Sequence, residues 1–141
     1  MVLLDVNVVV NAMREDSPRH EVAHAYVEAL RDAREPFGLS DVVLSGALRV
    51  LTHPRIFNPP TPPARARRYI VALRASRNAV MIAPGSRHWE IFTKLLEESR
   101  VIGNMVSDAW YAALAIEHGC EWVSDDSDFA RFGGLRWRRM A

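Results

Sequence analysis

The sequence has little of what marks a secreted or membrane protein. It contains a single cysteine, Cys120, in 141 residues, so no internal disulfide can form, and this fits a reducing cytosol. No apolar stretch approaches the roughly 18 residues of a membrane span. Asp5 interrupts the apolar start and no basic segment precedes it, which is not the pattern of a signal peptide. We therefore expect a cytoplasmic protein without a membrane partner.

A strong charge of either sign is also missing. The formal net charge is +1, which excludes a chain that binds nucleic acid through a general excess of basic residues, so such binding must use local patches. Lysine is almost absent, because 17 of the 18 basic residues are arginine and only Lys94 is not. Arginine suits bidentate phosphate contacts, but a coding bias in the source genome explains the skew at least as well.

What the chain does have is an apolar fraction of 49%, enough for one folded domain over residues 1–141. Short apolar segments alternate with helical patterns, and this alternation predicts an α/β fold with a mainly parallel sheet. A largely apolar pattern at 41–52 predicts a buried helix. Strands are predicted at 2–6, 36–39, 79–83, 121–124 and 135–137, and helices at 7–13, 17–33, 41–52, 61–77, 86–99 and 108–119, with a stiff proline-rich loop at 53–63.

Four aspartates follow or flank these segments. Asp5 ends the first apolar strand, Asp108 opens an alanine-rich helix, and Asp126 and Asp128 follow the apolar strand 121–124. Carboxylates at the ends of separate strands converge in an open α/β sheet, where ligands bind beyond the strands' carboxyl ends. Hard oxygen ligands of this kind suit Mg²⁺ or Mn²⁺. The natural reaction for such a site is phosphodiester hydrolysis by a metal-activated water.

Each aspartate also fits an ordinary structural role. Asp126 and Asp128 could cap the turn around Phe129, and Asp108 could be an N-terminal helix residue that the helix dipole favours. Asp5 has the weakest case for such a role, because it follows a strongly apolar strand without a clear capping context.

Four polar residues are candidates to support the acids or to touch a substrate. Asn7 and Asn104 carry amides that can hold a carboxylate ligand or a metal-bound water, although Asn104 is equally a turn residue. Ser124 offers a hydroxyl beside the last pair of acids. Arg49 stands in a largely apolar helix, so we expect it to pair with a site carboxylate or to reach the substrate.

The other polar residues have simpler interpretations. His20 and His24 share a helix face, but they lack a third ligand nearby, which favours a solvated face over a metal site. Asp125 is assigned to the surface, pointing away from its neighbours. A solvated helix face also accounts for several arginines, with contact to an RNA backbone as the alternative: Arg65, Arg67, Arg68, Arg74 and Arg77.

Together these residues resemble the PIN-domain nucleases, and more closely the VapC-type toxins of bacterial toxin–antitoxin pairs. The resemblance covers nearly the whole chain. It is specific because several short matching segments occur in the same order as in the family. In the family the last block commonly reads Thr-x-Asp-x-Asp-Phe, and here Ser124 replaces the threonine. The matching fragments are 4–7, 48–57, 103–104, 108–109, 112–115 and 124–129.

The resemblance implies a PIN-like three-layer α/β/α domain with a mainly parallel, roughly five-stranded sheet. It also implies Mg²⁺- or Mn²⁺-dependent cleavage of RNA, a toxin homodimer, and inhibition by a VapB-like antitoxin. On this basis Asp5, Asp108 and Asp126 are carried over as metal-site acids, with Asp128 as an adjacent fourth.

One position departs from the family pattern. Many PIN domains carry a glutamate on the helix after the second strand, and the corresponding residue here is Gly46, with Asp41 as the only acid nearby. A binding module that has lost catalysis is therefore the second hypothesis. A haloacid-dehalogenase-like phosphatase, with a strand-end aspartate as nucleophile, is the third. It is disfavoured because Asn7 stands where that family usually has a second aspartate.

Overall fold

Five short strands form one parallel sheet in the computed structural model, which describes residues 1–140. The strand order is β3-β2-β1-β4-β5, and every neighbouring pair is parallel. The predicted five-stranded parallel sheet is thus confirmed. The strands are β1 Val2–Leu4, β2 Phe37–Leu39, β3 Ala79–Met81, β4 Glu121–Val123 and β5 Trp137–Arg138.

Six α-helices and one 3₁₀ helix connect the strands. Helices α1 to α4 pack against one another, and α5 and α6 form a second pair. From β1 to β3 the chain moves towards one edge of the sheet, and from β3 to β4 it moves back towards the other edge. Right-handed connections therefore place α1 to α4 on one face and α5 and α6 on the opposite face, which gives three layers. The helices are α1 Val6–Met13, α2 His20–Asp32, α3 Asp41–Leu51, α4 Pro63–Arg74, α5 His88–Glu98 and α6 Met105–Glu117, followed by the 3₁₀ helix Ser127–Arg131.

The core lies where the central strands meet both helix layers. Leu3, Leu4 and Trp122 have no exposed surface, as expected for parallel strands that are covered on both faces. Small residues on α6, such as Ala112 and Ala113, are also completely buried. Cys120 is a buried free thiol. No helix within residues 1–140 has both the length and the apolar character to cross a membrane.

Three local predictions were wrong. The first strand ends at Leu4, because the chain turns into α1 at Val6. Helix α6 begins at Met105, so Asp108 lies at the end of its first turn rather than opening it. Helix α3 is not buried all round, since Val42 is 46% exposed and Arg49 is also exposed. An apolar sequence pattern does not reveal that one side of α3 faces outwards.

The sheet changes its direction of growth between β1 and β4. The chain leaves β1 towards β2 on one side and returns through α6 to β4 on the other. Gly119 has a positive φ of 65°, and the N–H of Cys120 donates to the carbonyl of Ala115 at 2.9 Å, a Schellman-type end that turns α6 into β4. Such a switch point leaves a crevice beyond the strand ends, and Asp5 and Ser124 follow β1 and β4 there.

Candidate active site

A cleft of about 650 Å³ opens at this switch point. Its walls come from α1, α3 and the start of α6, which run together at the carboxyl edge of the sheet. Five of the predicted site residues line the cleft: Asp5, Asn7, Arg49, Asn104 and Asp108. The structure therefore brings Asp5 and Asp108 to one place although they are far apart in sequence.

Asp5 is the most deeply placed of the acids, at 6% exposure. Its Oδ1 accepts a hydrogen bond from the backbone N–H of Val6 at 2.6 Å, at the N-cap of α1. Its Oδ2 accepts from the Ser124 hydroxyl at 2.6 Å and from the Asn7 amide at 3.2 Å. The expectation that Asp5 has no clear capping context was wrong, because the strand ends one residue earlier than predicted and leaves Asp5 at the helix start.

Burial and neighbouring carboxylates make ionisation of Asp5 unfavourable. The pKa of Asp5 is raised to about 6, first by burial and also by the charges of Asp108 and Asp126, while the hydrogen bonds from Ser124 and Val6 act in the opposite direction. The pKa of Asp108 is also raised, first by burial and then by the nearby Asp126 and Asp128, while Arg131 opposes the change. The four acids thus form one electrostatically coupled group.

Asp126 and Asp128 differ in their surroundings. Asp126 caps the 3₁₀ helix, since its Oδ1 accepts from the N–H of Asp128 at 2.9 Å. Asp128 is exposed, and its carboxylate faces the guanidinium of Arg131 at 3.8 Å. Neither residue lines the cleft, but the charge of Asp126 acts on both Asp5 and Asp108, and that of Asp128 acts on Asp108. The capping role that the sequence left open for Asp126 is present, and it occupies one carboxylate oxygen.

The chemistry of these donors fits a hard divalent cation. The acids present carboxylate oxygens, which Mg²⁺ and Mn²⁺ prefer. The pKa values of Asp5 and Asp108 are raised first by burial and then by neighbouring carboxylates, and a bound cation would favour the ionised form of both groups. Within residues 1–140, however, no three Asp, Glu, His or Cys side chains stand close enough to enclose a metal ion. The side chains therefore suit a divalent cation in donor type and in charge, but at least one of the acids lies too far from the others to share the ion with them.

Ser124 links the acids to one another. Its buried hydroxyl donates to Asp5 and accepts from the backbone N–H of Asp126 and from the Asn7 amide, both at 3.0 Å. Asn7 in turn accepts from the backbone N–H of Asp125 at 3.2 Å. These bonds tie the start of α1 to the loop after β4, so the strand-end hydroxyl predicted as a supporting group lies at the centre of the network.

We expect Ser124→Ala to lower the free energy of unfolding by about 1–3 kcal/mol, the cost of leaving buried hydrogen-bonding groups unpaired. The deletion removes the donor to Asp5 and the acceptor for Asp126 and Asn7. Urea unfolding at neutral pH measures the change. Ser127→Ala is the matched control, because Ser127 is exposed, and equal stability of the two variants would contradict the network's importance.

Two supporting predictions need correction. Asp125 is not at the free surface, because its carboxylate pairs with Arg19 at 2.9 Å and its side chain is only 14% exposed. Arg49 lines the cleft but forms no ion pair with a carboxylate in the part of the chain that the structure describes. Of the two roles considered for Arg49, pairing with a site acid is therefore not realised, and contact with a substrate stays a prediction.

Three residues that line the cleft were not predicted from the sequence. Asn11, Ser107 and Tyr111 all line the cleft. Tyr111 follows Asp108 by three residues in α6, a spacing that places two side chains on the same helix face. That spacing was the available signal, and it was missed because the alanine-rich segment was considered only for its acid.

Comparisons with known proteins identify relatives over almost the whole chain. The family model of the PIN domain matches residues 2–135. VapC ribonuclease Mb2897 of Mycobacterium bovis and ribonuclease VapC43 of Mycobacterium tuberculosis are each 43% identical over 138 residues, covering 98% of this chain and 94% of theirs. The crystal structure of VapBC2 from Rickettsia felis bound to a DNA fragment from their promoter matches with a TM-score of 0.72 at 17% identity. That match covers 99% of this chain and 98% of the other, so it supports the fold alone.

Proposed function

The chain belongs to the PIN-domain family as a VapC-type member, and from this premise we propose that it is the toxin of a VapBC-like pair, an endoribonuclease that hydrolyses RNA phosphodiester bonds with Mg²⁺ or Mn²⁺. The observation that carries the proposal is the meeting of Asp5 and Asp108 in one cleft at the switch point of the sheet. Their raised pKa values fit a site that is built for a cation. The ribonuclease names of the mycobacterial relatives support the same activity.

In this proposal Asp5, Asp108 and Asp126 would hold the metal ion, and Asp128 serves as an adjacent fourth acid. When bound, the ion would lower the pKa of a water molecule and stabilise negative charge on a phosphoryl oxygen. Ser124 and Asn7 keep the Oδ2 atom of Asp5 in place, which leaves the carboxylate little freedom to turn. Asp108 is only half-buried, so it remains open to the cleft.

The residues on the outer walls are suited to the substrate. Arg49 is exposed and lines the cleft, and a planar guanidinium suits bidentate contact with a phosphate. Asn104 lies on the opposite wall at the N-terminus of α6, where backbone N–H groups and the helix dipole favour an anion. These two residues would position the RNA backbone over the acids.

We further propose the partners that go with this activity. A VapB-like antitoxin is the expected inhibitor, and the Rickettsia felis neighbour is itself a VapBC2 assembly. We also propose a homodimer, and a cytoplasmic location in which the single Cys120 stays reduced. Residues 1–141 would act as a single domain.

A second candidate function is a PIN module that binds RNA or an antitoxin without cutting. The observation that favours it is Gly46, which leaves α3 without an acid at the cleft. The absence of a closed set of three metal ligands within residues 1–140 favours it too.

We expect the purified protein to cleave structured RNA in the presence of Mg²⁺ and to stop when a chelator is added. Titration calorimetry on the same sample should detect Mg²⁺ or Mn²⁺ binding that depends on the carboxylates. An RNA that stays intact, together with no measurable heat of metal binding, would reject the nuclease and leave the binding module.

A further inference from the structure

Helix α3 has a glycine, Gly46, beside two residues that line the cleft, Val6 and Tyr111. A β-carbon at this position would lie 3.1 Å from the Cγ2 atom of Val6 and 4.0 Å from the hydroxyl oxygen of Tyr111, and these are the atoms within 4 Å. A β-carbon on residue 46 would therefore be tight against Val6 and in ordinary van der Waals contact with the Tyr111 hydroxyl. Glycine at this position leaves that side of the hydroxyl uncovered by a side chain of α3.

The ring of Tyr111 is held in a fixed position. It stacks on Trp122 with ring centroids 5.5 Å apart and planes 16° from parallel, and Trp122 is completely buried in β4. Tyr111 also lies one helical turn after Asp108, so its ring and that carboxylate are carried by the same rigid element. The hydroxyl therefore does not depend on a mobile loop for its position.

The hydroxyl of Tyr111 differs from those of the other two tyrosines. The hydroxyl of Tyr69 donates to the backbone carbonyl of Val9 at 3.3 Å, and that of Tyr26 accepts from Arg138 at 3.2 Å. The Tyr111 hydroxyl has no hydrogen-bond partner within residues 1–140, although the side chain lines the cleft. A half-buried phenol without a partner retains its capacity to bind a ligand.

The charges around this hydroxyl indicate the kind of ligand. Burial and the carboxylates of Asp5 and Asp108 raise the pKa of Tyr111, and the guanidinium of Arg49 opposes them. All three charged residues line the same cleft as Tyr111. The phenol therefore stays protonated at neutral pH and can donate. A donor in a cleft that also presents a guanidinium, and carboxylates suited to a cation, suits an anionic oxygen.

We propose that Tyr111 is a substrate-contacting residue whose hydroxyl donates a hydrogen bond to a non-bridging phosphate oxygen of RNA bound in the cleft. This inference rests on the proposed function, since it assigns a group that binds the substrate of that same site. Gly46 then serves to keep the space around the hydroxyl free for the phosphate.

The test is Tyr111→Phe, which removes the hydroxyl and keeps the ring on Trp122. We expect kcat/KM for a structured RNA to fall about 10- to 100-fold, as for the loss of one hydrogen bond to a charged group. The rise in melting temperature caused by Mg²⁺ should stay unchanged, because the phenol does not hold the metal. Tyr26→Phe is the matched control, since it also removes one hydroxyl, but far from the cleft, and its activity should equal that of the wild type.

Binding of RNA in an Asp108→Asn background separates this inference from the proposed function. There, adding Tyr111→Phe should weaken RNA binding about tenfold even if no cleavage is ever detected. Unchanged binding and unchanged kcat/KM would overturn the assignment. If Tyr111→Phe abolished the rise in melting temperature caused by Mg²⁺, the assignment would also be overturned, because the hydroxyl would then belong to the metal site. Equal losses of kcat/KM in Tyr111→Phe and Tyr26→Phe would overturn it as well.

Discussion

Replacing Asp108 with asparagine is expected to reduce RNA cleavage on the order of 10³-fold, the scale of removing one preorganised electrostatic group from an active site. Asparagine keeps the size of the side chain and one oxygen, but it cannot carry the negative charge that would hold a cation. Because Asp108 faces the cleft with Asp5, the loss should appear in the chemical step, measured with saturating RNA over a range of Mg²⁺ concentrations.

The same substitution is expected to leave the metal-free fold as stable as the wild type or more so. The pKa of Asp108 is raised by burial and by Asp126 and Asp128, so folding favours the protonated carboxyl relative to the unfolded chain. The stabilisation from the protonated carboxyl is complete below the pKa that Asp108 has in the unfolded chain, and it is lost as the pH rises through the pKa in the folded protein. At neutral pH the charged carboxylate therefore lowers the free energy of unfolding, and asparagine removes that charge.

Asp32→Asn is the control for this variant. Asp32 is exposed at the end of α2, away from the cleft, so it changes the net charge by the same amount without touching the site. Its cleavage rate should match that of the wild type. Undiminished cleavage by Asp108→Asn would contradict the proposal that Asp108 helps to hold the metal ion. If the variant lost activity because it unfolded, its melting temperature would be lower than that of the wild type.

The architecture could be predicted from local patterns because each element carries its own periodicity. The strand around Leu3 is too short and too branched for a helix, and the alanine-rich α6 is too long for a strand. The alternation of strands and helices along the chain then predicts a parallel sheet. Two of the three local errors lie at element ends, where one side chain decides, as with Asp5 capping α1.

The candidate site was less predictable because it depends on contacts between distant segments. The strand-end rule predicts the position of Asp5, whereas Asp108 reaches the same cleft from the first turn of α6. The role of both as metal ligands stays a prediction. No sequence pattern showed that Asp128 would turn outwards to Arg131 or that Ser124 would bond to three groups. Those details depend on the local path of the 3₁₀ helix and on the register between β1 and β4.

The stability of the metal-free protein is expected to fall with rising pH because of Asp5. Burial raises its pKa from an ordinary 3.8 to about 6, so the folded state retains a proton that the unfolded chain has already released. The contribution of the protonated group is complete below about pH 4 and is lost as the pH rises through 6. A difference of about two pKa units corresponds to roughly 3 kcal/mol at pH 7.

Urea unfolding of the wild type and Asp5→Asn in the presence of a chelator measures this contribution. Asparagine also alters the bonds to Val6 and Ser124, but that change is the same at every pH and only offsets the two curves. The wild type should therefore lose about 3 kcal/mol relative to the variant between about pH 4 and pH 7. Added Mg²⁺ should restore much of that loss at pH 7 in the wild type alone, because a bound cation favours the ionised carboxylate. Two parallel curves would mean that Asp5 ionises in the fold as easily as in the unfolded chain, and the electrostatic case for a cation at this cleft would then be lost.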